Sequence, residues 1–530
     1  MVLAAAADVR QPVPYQGPCD SLYHLLGETA RRAPDRLAVD FMGNRLTYAE
    51  LDRASRLVAG YLMVRGVGPG QRVGFYFHKC FEALACLFGV IRTGATYVPF
   101  DLQVPASRIE LICRQCGIRG ILAGALPVGL GGLDWAVVAE PADAVLPGGE
   151  VIALSEAMNA AAPATGAVPP PADGIANILH TSGSTGQPKG VMITTQSLMH
   201  FSKWGVETFE ITPDDRIANH GPYSFDLSTF DVFAAVRAGA TMCPFPDAAR
   251  GHPYRTARFM AAERITVWYS VPWCLVLMVL RGSLPDHDLS SLRHVLFAGE
   301  VMPPDHLRDL MDHVPRPAYW NLYGPTETNV CTFHRVRPAD LDDPDGIPIG
   351  RPIADTRVWV VDAESAPVPP GTSGELMVAG PTVFAGYDGD DTESARRLVD
   401  APDGAGRAYK TGDRVFDRGD GVLMYQGRFD RMVKCRGYRI ELGEIEAIAA
   451  DHPTVTEAAV VPVRHLLRGT SLTGFVAVED GTKLAPRELS AHCRKYLPNY
   501  MVPNRWQFLD RLPRNPNGKV DLARLAERAK

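Results

Sequence analysis

The ten residues 181–190, TSGSTGQPKG in one-letter code, stand between two apolar, strand-like runs and leave the chain few choices there. Glycines such as Gly183 and Gly186 free the backbone to turn successive N–H groups outward. The hydroxyls of Thr181, Ser182, Ser184 and Thr185 add donors, so a di- or triphosphate can lie along the loop, with Lys189 as a point charge. A Walker A loop is excluded by order. That pattern needs Gly-Lys-Ser/Thr opening a helix, whereas here Pro188 precedes the lysine and Val191, Met192 and Ile193 read as a strand. A solvated Ser/Gly linker has the same composition, and the rest of the chain has to decide between the two readings.

Upstream, residues 73–77 read as a strand, 81–91 as a mostly apolar helix and 94–101 as a returning strand, a βαβ rhythm that predicts doubly wound α/β architecture. Thr47 followed three residues later by Glu50 is a capping-box pattern, so a helix starts there. Residues 124–173 are rich in Ala, Gly and Pro and read as a weakly constrained connector. Downstream, Asp226 opens a helix. It is either a cap for backbone N–H groups or a carboxylate that holds a ligand ammonium. From 350 to 425 short alternating strands with Gly and Pro turns predict a small β subdomain, and Asn517-Gly518 marks a hairpin turn near the end.

At 530 residues the chain has length for two or more domains. A net charge of -6 argues against nucleic acid as the main partner. The most apolar window, 267–280, is interrupted by Pro272 and falls short of the roughly 20 residues a membrane span needs; it reads as a buried strand followed by a helix. The N-terminus carries no signal-peptide pattern. Ten cysteines are scattered without zinc-like or disulfide-like spacing, and Cys113-x-x-Cys116 sits on an amphipathic helix, so core or surface thiols in a reducing cytoplasm are expected.

The decapeptide resembles the phosphate-binding signature of adenylate-forming enzymes. Further segments match, in order, the amino-acid adenylation domains of nonribosomal peptide synthesis. They are Phe225-Asp226, Gly299-Glu300, Asn321 to Thr328, Tyr409 to Asp413, Gly427 to Lys434, Gly437 to Glu441, and Asn515 to Asp521. The resemblance implies an α/β fold with a large N-terminal domain (1–429) of two α/β sheets plus a distorted β-barrel, and a small mobile α+β C-terminal domain (430–530) turning about Asp430. It also implies two steps: an amino-acid carboxylate attacks the α-phosphorus of ATP, and a carrier-protein phosphopantetheine thiol then attacks the aminoacyl-AMP. Lys519 would hold the carboxylate against the α-phosphate. Asp413 would take the ribose hydroxyls, Arg428 the phosphate-ribose side, and Asn321, Tyr323, Gly324 and the Gly299–Glu300 backbone the adenine side. Glu327 with Thr326 would hold Mg²⁺, and Lys434 would swing in for thioester formation with Gly437 and Arg439.

By the same resemblance, Asp226, Leu227, Phe230, Tyr269, Leu296, Ala298, Leu322, Val330, Cys331 and Lys519 surround the amino acid. One acid and one base among apolar residues imply an α-amino acid with an apolar side chain. The order of these residues is similar to that of stand-alone prolyl-AMP ligases, which load L-proline on a separate carrier protein at the start of pyrrole biosynthesis. Phe230, where that group has leucine, departs from the pattern. One methylene shifts binding by about 1 to 3 kcal/mol, so pipecolate or valine stays open as a weaker substrate. An acyl-CoA synthetase remains an alternative that Asp226 opposes, as does a catalytically silent binding protein, opposed by Lys519, Asp413 and Glu327. With no carrier serine motif after Lys519 and no condensation motif ahead, a free-standing loading enzyme is expected.

Overall fold

Two large sheets share one core, and a smaller unit lies over the edge where both end. The computed structural model describes residues 21–165, 174–183, 187–246, 249–465, 469–479, 482, 484–515 and 519–530. The expected βαβ rhythm is present. Strand Arg72–Tyr76 pairs in parallel with Thr96–Pro99 and Gly120–Ala123, and the apolar helix Phe81–Arg92 makes the first crossover. These strands belong to an eight-stranded sheet that also holds Ile175–Thr181 and Lys189–Thr194. A nine-stranded sheet has Val267–Ser270, His294–Phe297 and Ala318–Tyr323 as parallel neighbours.

Helix Tyr48–Val64 begins where the capping box put it. Thr47 Oγ1 accepts from the Glu50 N–H at 3.2 Å, and the Glu50 carboxylate accepts from the Thr47 N–H at 2.7 Å, which satisfies two otherwise orphaned donors. The apolar window resolves into strand Val267–Ser270 and helix Pro272–Arg281, with Pro272 in the first turn where its missing N–H costs nothing. No helix among the described residues is long and apolar enough to cross a membrane. Cys113 and Cys116 are buried on helix Ala106–Cys116 as core thiols.

The expected connector over 124–173 is a misreading. Strands Trp135–Val138 and Glu150–Ala153 extend the eight-stranded sheet in parallel, and helix Leu154–Ala160 follows. Each strand is four residues long, too short to show a period amid Gly and Pro.

The β subdomain is a five-stranded antiparallel sheet centred on Arg407–Asp417. Its apolar face, including Leu376, Val378 and Val415, packs with Tyr323 from the nine-stranded sheet and with Cys331, just ahead of that sheet's strand Thr332–Arg335. The last hundred residues form an α+β unit. Hairpin Met432–Cys435/Tyr438–Glu441 leads to a three-stranded sheet with helices Leu442–Ala450, Pro486–Arg494 and Leu522–Ala529. Its core residues, such as Ile440, Ile445, Val476 and Leu489, cluster only with one another. The Asn517-Gly518 turn lies outside the described residues, but its stem is closed by an Arg514–Val520 bridge.

Candidate functional site

The phosphate-type loop joins antiparallel strands, with Thr181 paired to Lys189, so a strand and not a helix follows it. A Cβ on Gly183 would stand 1.9 Å from the Gln187 carbonyl oxygen, so only glycine closes this turn. Ser184, Thr185 and Gly186 lie outside the described residues. Lys189 Nζ is 3.2 Å from Glu393 and 5.4 Å from the centroid of the Tyr387 ring.

A cavity opens beside this loop at the carboxyl ends of the sheet strands, the usual ligand position in an open α/β sheet. Asp226 stands in its wall and caps helix Leu227–Ala238, accepting the Leu227 N–H at 2.8 Å. Burial pushes its carboxyl above the ordinary carboxylate range, although the Thr326 hydroxyl and the Lys434 ammonium pull the other way. One oxygen caps the helix, as the first reading expected, and the carboxylate also faces a cavity whose nearby wall is Leu227, Tyr269, Ala298 and Val330. Four other expected liners are not brought to this wall. Phe230, Leu296, Leu322 and Cys331 are at most 1% exposed and belong to the cores behind it. The expectation fixed their positions in the chain, and close packing set their faces.

Asp413 does not line the cavity: fully buried, it accepts the Tyr323 hydroxyl at 2.5 Å and the Arg428 guanidinium at 2.6 Å, and neither of those partners lines it. Arg428 also grips Asp430 with two bonds of 2.6 Å. Asn321 donates to the Pro348 carbonyl at 2.8 Å, and Gly299, Gly324, Thr326 and Lys434 line the cavity. Lys434 lies 5.7 Å from the Tyr323 ring centroid, and burial lowers its pKa against the pull of Asp413. Glu300 accepts the Gly437 N–H at 2.7 Å.

Glu327 is fully buried. Its carboxylate accepts Arg439 on both oxygens and the Tyr387 hydroxyl at 2.7 Å. Burial alone would raise its pKa; the Arg439 charge overrides this and holds it below the ordinary range. The α+β unit also covers the loop. The Ser182 hydroxyl donates to the Arg439 carbonyl and accepts the Glu441 N–H, and the Gly183 N–H donates to the Glu444 carboxylate at 3.2 Å.

Lys519 does not line the cavity. It is exposed on the far hairpin, its N–H bonded to Asn515 Oδ1 at 3.0 Å. The smaller unit presents Lys434, Gly437, Tyr438 and Arg439 instead. Sequence reasoning also missed Asp101, Arg108, Tyr438, Tyr500 and Glu444. Tyr438 stacks on Tyr500 with centroids 3.5 Å apart and meets Phe225 edge-on, and Arg108 pairs with Glu444. Only Tyr438 carried a signal, since it lies between Gly437 and Arg439; the Arg108–Glu444 pair spans 336 positions.

The chain belongs to the AMP-binding enzyme family. The family model matches residues 26–388, and a second model, the AMP-binding enzyme C-terminal domain, matches 444–519. Within that class it is 40% identical over 507 residues to an L-proline–[L-prolyl-carrier protein] ligase of Streptomyces coelicolor, covering 91% of each chain. A protein of the same name from Pseudomonas fluorescens is 36% identical, with 95% of this chain and 98% of that one aligned. Among solved structures, a nonribosomal peptide synthetase protein containing adenylation and carrier domains superposes with a TM-score of 0.80 at 26% identity, covering 96% of this chain and 84% of that one. An amide bond synthetase from Marinactinospora thermotolerans has the same fold, with a TM-score of 0.84 at 23% identity and coverage of 96% and 99%.

Proposed function

We propose that this protein activates L-proline with ATP as prolyl-AMP and transfers the prolyl group to the phosphopantetheine thiol of a separate carrier protein, at the start of a pyrrole-type pathway in the cytoplasm. The observation that carries the reading is Asp226: a carboxylate facing a cavity with an apolar wall, its charge opposed by burial and without a lysine or arginine salt-bridge partner among the described residues. A cationic ring nitrogen of proline relieves that cost, while a fatty or aryl acid leaves it standing. The small wall residue Ala298 with Leu227, Tyr269 and Val330 suits a compact apolar side chain.

The remaining roles follow the family resemblance, and the following contacts support them. Asp413, held by Tyr323 and Arg428, offers a fixed carboxylate to ribose hydroxyls. The Ser182 hydroxyl and Gly183 N–H, released from the smaller unit, donate to phosphate oxygens, and Lys189 adds a positive charge. Glu327, a hard carboxylate with the Thr326 hydroxyl beside it in sequence, fits Mg²⁺, an ion that takes one or two carboxylates and fills its sphere with phosphates and water. Bound there, Mg²⁺ would neutralise phosphate charge during the displacement. Arg439 and Mg²⁺ compete for the same oxygens, so the ion requires the smaller unit to withdraw. Residues 1–429 form the nucleotide and amino-acid domain. Residues 430–530 turn about Asp430, exchanging the Lys434–Arg439 face seen here for the Lys519 face that joins carboxylate to α-phosphate.

The test is amino-acid-dependent exchange of pyrophosphate into ATP over a panel. L-proline gives the highest kcat/KM, with pipecolate and valine about tenfold or more below it. Exchange with L-proline no higher than a blank overturns the reading, and CoA thioester formed from a fatty acid replaces it with an acyl-CoA synthetase.

A further inference from the structure

Phe230 is one position at which the sequence departs from the expected prolyl-AMP ligase pattern, and the structure shows where its ring lies. Its side chain is fully buried and does not line the cavity. It meets Phe201, Phe209 and Tyr269 with centroids 6.1, 5.8 and 5.7 Å away. Gly205 on helix Thr195–Thr208 also abuts the ring: an added Cβ there would stand 2.6 Å from Phe230 Cε2 and 3.0 Å from Cδ2. Glycine inside a helix costs about 0.5 to 1 kcal/mol relative to alanine, and here it leaves the only room the ring has on that side.

The aromatic neighbours cannot yield easily. Phe201 stacks on Trp204, and Phe209 is wedged edge-on against Trp204 and Trp320. Of the three rings around Phe230, Tyr269 is the one that also lines the cavity, and it meets Phe230 nearly perpendicularly, at 88°. A Phe230 ring pushed from the Gly205 side is therefore driven against Tyr269 and toward the amino acid.

We propose that Gly205, outside the cavity and touching no substrate, is a specificity-determining positioning residue: its missing side chain forms the recess that holds Phe230 away from the cavity and sets where the Tyr269 wall stands. This inference rests on the reading of the cavity as the amino-acid pocket.

The experiment measures pyrophosphate exchange for L-proline and pipecolate with wild type, Gly205→Ala, Phe230→Leu and Gly205→Ala/Phe230→Leu. In Gly205→Ala the wall moves inward, so kcat/KM for L-proline falls about tenfold through the amino-acid KM, the six-membered pipecolate falls further, and the KM for ATP stays within twofold. Phe230→Leu removes the ring atoms that clash, so the double variant recovers to within about threefold of wild type. Phe230→Leu alone vacates the recess, lets Tyr269 retreat and raises the pipecolate-to-proline ratio several-fold; being a large-to-small change, it keeps the test decisive if Gly205→Ala fails to fold. An unchanged ratio in Phe230→Leu, or a Gly205→Ala defect that the second substitution does not relieve, overturns the inference. Wild type that activates neither imino acid overturns the functional reading instead.

Discussion

Arg439 donates through one guanidinium nitrogen, Nη1, to both carboxylate oxygens of Glu327, at 2.8 and 2.6 Å. One residue belongs to the smaller unit and the other lies between the two large sheets and the β subdomain. This pair ties the smaller unit to Glu327 in the arrangement seen here, with both carboxylate oxygens engaged. The Glu444 carboxylate likewise engages the glycine-rich loop, accepting the Gly183 N–H at 3.2 Å. Under the proposed roles, nucleotide with its metal would compete with the docked face of the smaller unit for these groups.

Arg439→Ala leaves the Glu327 carboxylate buried and unpaired in the docked arrangement, at a cost of about 3 to 5 kcal/mol. Transfer of a preformed aminoacyl adenylate to the carrier thiol is expected to slow by two decades or more in single-turnover assays. The KM for ATP in the exchange reaction stays the same or falls, because a competitor of the nucleotide has been removed.

Asp226→Asn removes the partner of the substrate ammonium. Its kcat/KM for L-proline falls by two to four decades, the kinetic equivalent of about 3 to 5 kcal/mol, while nucleotide binding measured by calorimetry changes less than twofold.

Acid should act through the same group. Burial raises the Asp226 carboxyl in the folded protein, and only its ionised form anchors an ammonium. The kcat/KM for the amino acid therefore declines as pH falls through that raised pKa, at a higher pH than an ordinary aspartate would give. Asp226→Asn loses this acidic limb. A limb that persists in the variant would assign it to another residue.

Asp215 provides a stability test away from the cavity. Its side chain is 1% exposed; burial would raise its pKa, but hydrogen bonds from Thr266, Arg293 and the Thr212 N–H outweigh this and hold it below the ordinary value of 3.8. A depressed carboxylate contributes stability that is present above its unfolded pKa and lost as pH falls through the folded one. Arg293→Ala is expected to lower unfolding stability at pH 7 by about 1 to 3 kcal/mol, read by urea denaturation, with the gap to wild type shrinking below about pH 4.

Local signals in the chain proved readable where a few adjacent residues determine the outcome. The Thr47–Glu50 capping box, Pro272 at a helix start and the strand after Lys189 each depend on neighbours within four positions. Strands Trp135–Val138 and Glu150–Ala153 were not readable, because four residues show no periodicity and their identity comes from the sheet they join. In the site, the family resemblance pointed to Asp226, which lines the cavity, to Glu327, which bonds the lining residue Arg439, and to Asp413, which is buried against Tyr323 and Arg428 and does not line it. It could not show that Phe230 turns into a recess provided by Gly205, or that Arg108 and Glu444 pair across the whole chain. Those are properties of packing, visible only when distant segments meet. In the arrangement seen here Arg439 lines the cavity and Lys519 does not.

Splitting carrier loading into its two steps tests the exchange of faces most directly. Adenylate formation from L-proline and ATP, and thiol transfer from supplied prolyl-AMP, are timed separately in wild type, Lys519→Ala and Arg439→Ala. The account predicts opposite losses: Lys519→Ala nearly abolishes the first step and spares the second, and Arg439→Ala spares the first and slows the second. If either variant loses both steps equally, the two residues do not serve alternate arrangements and the account fails.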